Sequence, residues 1–225
     1  VTAFLQQAPQ NEHSFLYAFN INYAFAELIS EACIGHWTPE QGLSPITSWR
    51  AHKNEAEIAG FRRAMQHDGV AMVRFHRELD EKVANGSINQ ETEWSIAERL
   101  EEIRAEHPEY HGLSFATIAG YAGNGAIVHY EATAENHAQL ADKSFLLLDS
   151  GAHYVSGTTD ITRTIPLGVL SDEEKKAYTL VLKGMIQLSM AHFPTGTTGL
   201  ALDFAARQSM WREGYDFGHG TGHGV

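Results

Sequence analysis

From residue 54 onward, apolar and polar positions alternate with a helical period. Ile58, Phe61, Met65, Met72, Phe75, Leu79 and Val83 recur mostly at steps of three and four residues, with charged residues between them. That spacing lays one apolar stripe along a helix from about Asn54 to Val83. Asn54 suits the N-cap, Glu55 and Glu57 suit the positive first turn, and Asn85-Gly86 ends the run. A second helix is predicted from about Gln90 to Glu106, stopped by Pro108. The period then changes. Leu113 to Ile118, Ile127 to Tyr130, Ser144 to Ser150 and Thr158 to Ile165 are short β-branched or apolar runs between glycines, and predict an antiparallel meander. Ser171-Asp172-Glu173-Glu174 is a capping box opening a helix to about His192, and another helix runs from about Leu200 to Arg212.

Upstream, Phe15 to Phe19, Tyr23 to Ile29 and Ala32 to Gly35 give strand, helix and strand, an α/β piece. Pro39, Gly42 and Pro45 mark a linker after it. The main part is thus α+β, with helices gathered on one side of a sheet. No internal repeat or low-complexity tract is visible.

Composition narrows the function classes. At 225 residues, 43% of them apolar, the chain can bury a sizeable core. A net charge of -12 argues against nucleic-acid binding and against docking on anionic membranes. No apolar run approaches the ~20 residues that span a bilayer. Val1-Thr2-Ala3-Phe4 carries no basic residue of the kind that opens a secretory leader. A single cysteine, Cys33, cannot form an internal disulfide, which favours a reducing compartment such as the cytoplasm. Thirteen histidines are too many for their number to identify a site.

Candidate chemistry sits at three places. In Gly218-His219-Gly220-Thr221-Gly222-His223-Gly224-Val225, glycine holds every even position. Run as a strand, the segment shows bare glycine on one face and two imidazoles flanking a hydroxyl on the other. Asp149 ends the apolar run Leu146-Leu147-Leu148, and Asp160 opens Asp-Ile-Thr-Arg-Thr beyond a turn at Ser156-Gly157. In a regular hairpin two residues that far apart share a face, so the carboxylates would converge, with directly opposed Cβ atoms ~5 Å apart. Two half-buried carboxylates at that distance need a shared proton or a cation. Taken singly, Asp149 capping a turn and Asp160 pairing with Arg163 is the plainer reading, and His129, closing a short strand, is the plainer structural histidine. Taken together, carboxylates and imidazole suit Mn²⁺, Co²⁺ or Zn²⁺. Two ions ~3.5–4 Å apart would generate a hydroxide nucleophile, which points to metal-assisted hydrolysis.

Four motifs carry a resemblance. Asn-Gly-Ala-Ile-Val-His-Tyr at 124–130, Leu-Leu-Asp-Ser-Gly at 147–151, Thr-Thr-Asp-Ile-Thr-Arg-Thr at 158–164 and His-Gly-Thr-Gly-His-Gly-Val at 219–225 resemble, in order and spacing, the pita-bread metallopeptidases, and within them the Xaa-Pro aminopeptidases. Lys53-Asn54-Glu55-Ala56-Glu57-Ile58 looks like that family's entry into the catalytic domain. The resemblance implies a pita-bread fold over 45–225, a curved antiparallel sheet with helices on its outer side. Residues 1–44 would be the tail of a preceding creatinase-type domain and a linker. It further implies that Asp149 chelates one metal, Asp160 bridges both and His223 ligates the other, while His129 and His219 line the substrate site. Thr162 and Arg163 would support or pack, and Tyr154 has no assigned role. Two divalent ions, Mn²⁺ ahead of Co²⁺ or Zn²⁺, would serve cleavage after the first residue of peptides with proline second. The family's remaining ligands, one histidine and two glutamates, lie beyond His223, so only three of five fall within the chain. Both catalytic-domain end and N-terminal part are expected to be missing, the longer protein to be a homodimer, and the isolated 225 residues to bind metal weakly and hydrolyse nothing.

The rival readings within the fold are prolidase, restricted to Xaa-Pro dipeptides, and methionine aminopeptidase. Outside it stand a pita-bread binding module without catalysis and a metal-free α+β domain.

Overall fold

The computed structural model describes residues 13–18, 21–32, 37–42 and 44–224. The candidate strand at Ala32 to Gly35 lies largely outside these, as do Cys33, the opening Val1 to Phe4, and Val225. The chain divides into two compact units after Ile58.

In the first unit, strand β1 (His13–Ala18) pairs in parallel with β2 (Trp37–Gly42), and helix α1 (Tyr23–Ala32) connects them. Parallel neighbours need such a crossover. The second strand therefore falls later than Ala32 to Gly35, on residues whose Pro39 and Gly42 read as a linker. Pro45 does not mark a linker either: it opens the short helix α2 (Pro45–Ala51), where a missing N–H is tolerated.

Helix α3 (Glu55–Ala84) starts where the capping signal placed it. The Glu57 amide donates to Asn54 Oδ1 at 2.9 Å, and Glu57 Oε2 accepts from the Asn54 amide at 2.8 Å. In the second unit its buried face is Gly60, Ala64, Asp68, Ala71, Met72, Phe75 and Leu79. The apolar stripe holds from Met72 onward. Met65, however, is exposed, and a carboxylate, Asp68, takes a core position. Gly86 ends the turn in a left-handed conformation. A 3-10 turn (Ser87–Gln90) leads to α4 (Glu93–Ala105), capped by Thr92, whose hydroxyl accepts from the Ser95 amide at 3.0 Å.

Two three-stranded antiparallel sheets follow. One has the order β4 (Ile118–Tyr121), β5 (Phe145–Ser150), β8 (Ile161–Pro166), and the other β3 (Tyr110–Leu113), β6 (Ala152–Tyr154), β7 (Gly157–Thr158). Along β5 every second residue is buried: Leu146, Leu148 and Ser150. That face packs with Ile161 and Ile165 of β8 against Met72, Phe75 and Leu79 of α3 and Ile96, Leu100 and Ile103 of α4 in one core. Each fully buried Leu, Ile or Phe contributes about 1.5–3 kcal/mol. The opposite face, with Leu147 and Asp149 half-buried, is left for chemistry.

Three expected strands do not form. Leu113 to Ile118 is a bend between the end of β3 and the start of β4, where the Ser114 hydroxyl donates to the Thr159 carbonyl and the chain passes from one sheet to the other. Ile127 to Tyr130 is a turn after a 3-10 helix (Ala122–Ala126): the Ile127 and Tyr130 amides donate to the Asn124 and Ile127 carbonyls instead of to a neighbouring strand, and the Tyr130 hydroxyl is tied to the Glu93 carboxylate. Residues 215–224 are irregular, their carbonyls drawn to an arginine of the preceding helix.

Helix α5 (Asp172–Ser189) has the reciprocal Ser171–Glu174 box and packs on α6 (Gly199–Trp211). A Cβ at Gly184 would run into the backbone oxygen of Ala206, so glycine sets this close crossing. Among the described residues no helix is long and apolar enough to cross a membrane.

Candidate metal centre

A single hairpin register brings the two aspartates to one face. β5 and β8 pair Leu148 with Arg163, Asp149 with Thr162 and Ser150 with Ile161. The same register returns at His153–Thr158 and Tyr154–Gly157. Between these ladders the Thr159 amide donates to the Ala152 carbonyl at 2.9 Å. One hairpin thus passes from the first sheet into the second, bending where Gly151 faces Asp160. A Cβ at Gly151 would strike the Thr159 backbone oxygen and the Ser114 hydroxyl. Glycine is what lets the two limbs close there.

Alternation then sorts the side chains. Ser150, Ala152, Thr159 and Ile161 point to the buried side, and Asp149, Asp160 and Thr162 to the other. The expected sharing of a face is present, but Thr162, not Asp160, stands directly across from Asp149. The Thr162 hydroxyl donates to Asp149 Oδ1 at 2.8 Å. Asp160 is the diagonal neighbour, a relation in which regular ladders space residues about 7–8 Å apart.

The glycine-rich segment reaches this face without being a strand. Arg207 of α6 donates to the carbonyls of Phe217 (2.6 Å) and His219 (2.8 Å), and to the carboxylates of Asp203 (2.5 Å) and Asp216 (2.8 Å). Its guanidinium lies 3.8 Å from the centre of the Phe217 ring, which in turn packs on the His219 ring. Asp203 also accepts from the Thr221 hydroxyl. These partners hold the Asp203 carboxyl below its ordinary range, Thr221 first and Arg207 next. At the far end, His223 Nδ1 lies 2.9 Å from the Gly224 carbonyl. A carbonyl only accepts, so Nδ1 carries the proton and Nε2 is free as a ligand. That Nε2 lies 3.5 Å from Asp160 Oδ2.

His129 is placed by a different anchor. The fully buried Glu93 accepts from the Tyr121 amide (2.6 Å), the Ala138 amide (2.7 Å), the Tyr130 hydroxyl (2.7 Å) and Asn124 Nδ2 (3.0 Å). Burial, and then this contact, push the Tyr130 phenol up to about 12. Asn124 and Tyr130 bracket the turn, and His129 leaves it exposed with φ of 57°.

The structure therefore joins Asp160 to His223 and puts Asp149 on the same face. Among the described residues no three His, Cys, Asp or Glu side chains close on one point, and His129 and His219 hydrogen-bond to none of the three. Cavities of about 240 and 350 Å³ lie along α3 and α4 and include none of these residues. Carboxylate oxygens plus a free imidazole nitrogen are a donor set that fits divalent Mn, Co or Zn. Sequence reasoning missed Asp68, Glu93, Arg104, Asp203 and Arg207. Only the Asp203–Arg207 spacing of four on a helix gave a signal.

Residues 59–225 match the model of metallopeptidase family M24. The chain belongs to this family. Curated family relatives include a probable Xaa-Pro aminopeptidase P of Ajellomyces capsulatus, 46% identical over 200 residues (88% of this chain, 32% of the relative). A probable Xaa-Pro aminopeptidase P of Pyricularia oryzae is 42% identical over 216 residues (96% and 35%). Among solved structures, the X-prolyl aminopeptidase of Caenorhabditis elegans, described as a cytosolic enzyme with a di-nuclear active site, superposes with a TM-score of 0.85 at 36% identity (93% of this chain, 33% of that one). An Xaa-Pro dipeptidase from Bacillus anthracis gives 0.70 at 27% identity (91% and 54%). The fold is thus the pita-bread fold, and the chain spans about a third of the length of the curated relatives it matches.

Proposed function

We propose that the protein releases the first residue of peptides with proline in second position, through two divalent ions held in part by Asp149, Asp160 and His223. The observation that carries this reading is the approach of His223 Nε2 to Asp160, on the face that also bears Asp149. Such a bond, between an amino acid and a tertiary proline amide, is chemically distinct from the ordinary peptide bond. When bound, the ion pair supplies Lewis acidity toward the scissile carbonyl and toward an attacking water. Asp160, with two carboxylate oxygens, Asp149, oriented by the Thr162 hydroxyl, and His223 would hold the two ions between them. His219, whose carbonyl is held by Arg207, and His129, projected from the Glu93-anchored turn, hydrogen-bond the substrate and move protons. Mn²⁺ is the proposed metal, on the hardness of two carboxylates. A cytoplasmic location accords with the Caenorhabditis elegans relative, a cytosolic enzyme. The first unit, a parallel β1–α1–β2 element, accords with the tail of a creatinase-type domain.

The test is Mn²⁺-dependent release from Xaa-Pro tripeptides by the full-length protein, against its Asp160→Ala variant. Release abolished by chelation and by the substitution supports the reading. Cleavage of Xaa-Pro dipeptides alone would make it a prolidase, and metal binding with no release a binding module.

A further inference from the structure

We propose that the buried Asp68–Arg104 pair is a positioning device for the two metal carboxylates, gripping the hairpin through Ser150 and Thr159. The inference rests on Asp149 and Asp160 being metal ligands.

Asp68 of α3 and Arg104 of α4 are both fully buried, with Arg104 Nε 2.6 Å from Asp68 Oδ1 and Nη2 3.1 Å from Oδ2. The pair reaches the hairpin at three points, one of them the Tyr154 hydroxyl of β6, which donates to Asp68 Oδ1 at 3.4 Å; the other two lie beside the aspartates. Arg104 Nη2 also donates to the Ser150 hydroxyl at 3.1 Å, and the Thr159 hydroxyl donates to Asp68 Oδ2 at 2.5 Å. Ser150 is the neighbour of Asp149, and Thr159 the neighbour of Asp160. Each of these two contacts is made on the core side of the hairpin, immediately behind a carboxylate that points the other way. Thr159 Oγ1 accepts in addition from the Ala152 amide at 3.0 Å, across the bend. One ion pair thus fixes both limbs of the hairpin where they change sheets.

Stability is a poor explanation for such a pair. Well-packed apolar side chains of the same volume usually serve a core as well or better. This pair also leaves Arg104 Nη1 without a hydrogen-bond partner among the described residues. What charges supply here that leucines would not is direction. A guanidinium fork and a carboxylate accept only a narrow set of geometries, so the backbone at Ser150 and Thr159, and with it the separation of Asp149 and Asp160, is set from behind. Partners standing behind metal ligands typically tune affinity by about 10–100-fold.

The experiment uses the full-length protein and Mn²⁺. Isothermal titration gives its affinity for Mn²⁺, and thermal melting of the metal-free protein gives its stability, for wild type, Thr159→Val, Thr159→Ser, Ser150→Ala and Asp160→Ala. The expected result is Mn²⁺ affinity weakened about 10–100-fold in Thr159→Val and restored in Thr159→Ser, which keeps the hydroxyl. Ser150→Ala, which removes only the Arg104 contact, weakens affinity in the same direction and stands in if Thr159→Val does not fold. Wild-type affinity in Thr159→Val or Ser150→Ala, with only the melting temperature lowered, overturns the proposal, as does failure of Thr159→Ser to restore binding. Wild-type affinity in Asp160→Ala refutes the ligand assignment itself, and the proposal falls with it.

Discussion

His223 Nε2 lies 3.5 Å from Asp160 Oδ2, with the imidazole 73% and the carboxylate 28% exposed. Exposed pairs of this kind contribute about 0–1 kcal/mol to stability. Their meeting therefore adds little to the fold, and on the proposed function both serve as metal ligands. His223→Ala in the full-length protein is expected to leave the metal-free melting temperature nearly unchanged. Mn²⁺ affinity is expected to fall by more than the ~100-fold that loss of a supporting partner can cost. Equal affinity in calorimetry would remove His223 from the ligand set.

Arg207 makes four polar contacts with its fork, two of them to carbonyls of the glycine-rich segment. A lysine has the charge but not the planar geometry. Arg207→Lys is expected to lower kcat/KM for Xaa-Pro tripeptides about 10-fold or more, by loosening His219 and His223. Unchanged kinetics would show that the segment holds itself.

Glu93 satisfies four groups from a fully buried position. Glu93→Gln turns one acceptor into a donor facing donors, at about 1–3 kcal/mol for each group left unpaired. The melting temperature should drop, and hydrogen exchange should rise over residues 121–138. A variant as protected as wild type would argue against Glu93 as the anchor of the His129 turn.

How much of this was legible follows the range of each signal. The Asn54 and Ser171 caps and the apolar stripes are local, and the helices stand close to where they read. The shared face of Asp149 and Asp160 was legible because a hairpin register needs only counting. Their exact pairing was not, since the turn is centred so that Thr162 falls opposite Asp149. The strands expected at 127–130 and 218–225 failed for one reason. Each segment is organised by a distant or buried charge, Glu93 or Arg207, and a residue alphabet does not say which charge will be buried. Asp68 is the same case: it falls in line with the apolar stripe, three residues after Met65 and four before Met72, but nothing local says that its carboxylate will be buried and paired.

Burial holds the His76 imidazole below its ordinary value of 6.5, and the charge of Arg163 adds to this. The folded protein thus takes up this proton less readily than the unfolded chain. The contribution of His76 is complete above 6.5 and is lost as pH falls through the folded value. Between about pH 7.5 and about pH 5, His76→Gln should lose less melting temperature than wild type. A steeper loss in the variant would reverse the assignment.

Two glycines separate propensity from packing. Gly69 lies inside α3 with open space around a Cβ, so Gly69→Ala should stabilise by about 0.5–1 kcal/mol. Gly184→Ala places its methyl group against the Ala206 backbone and should destabilise by about 1–3 kcal/mol. Thermal melts of both variants, read side by side, check the α5–α6 crossing.

The unbroken register through the bend at Gly151 constrains how this hairpin can vary in length. Inserting one residue into either limb between its aspartate and the tip would rotate everything beyond it to the other face. A carboxylate would then enter the core, and Ser150 or Thr159 would leave it. Length changes survive only beyond the Tyr154–Gly157 pair, at the tip, where Val155 is exposed. Homologous chains should therefore keep the stretches from Asp149 to Tyr154 and from Gly157 to Asp160 free of gaps, whatever peptides they cleave.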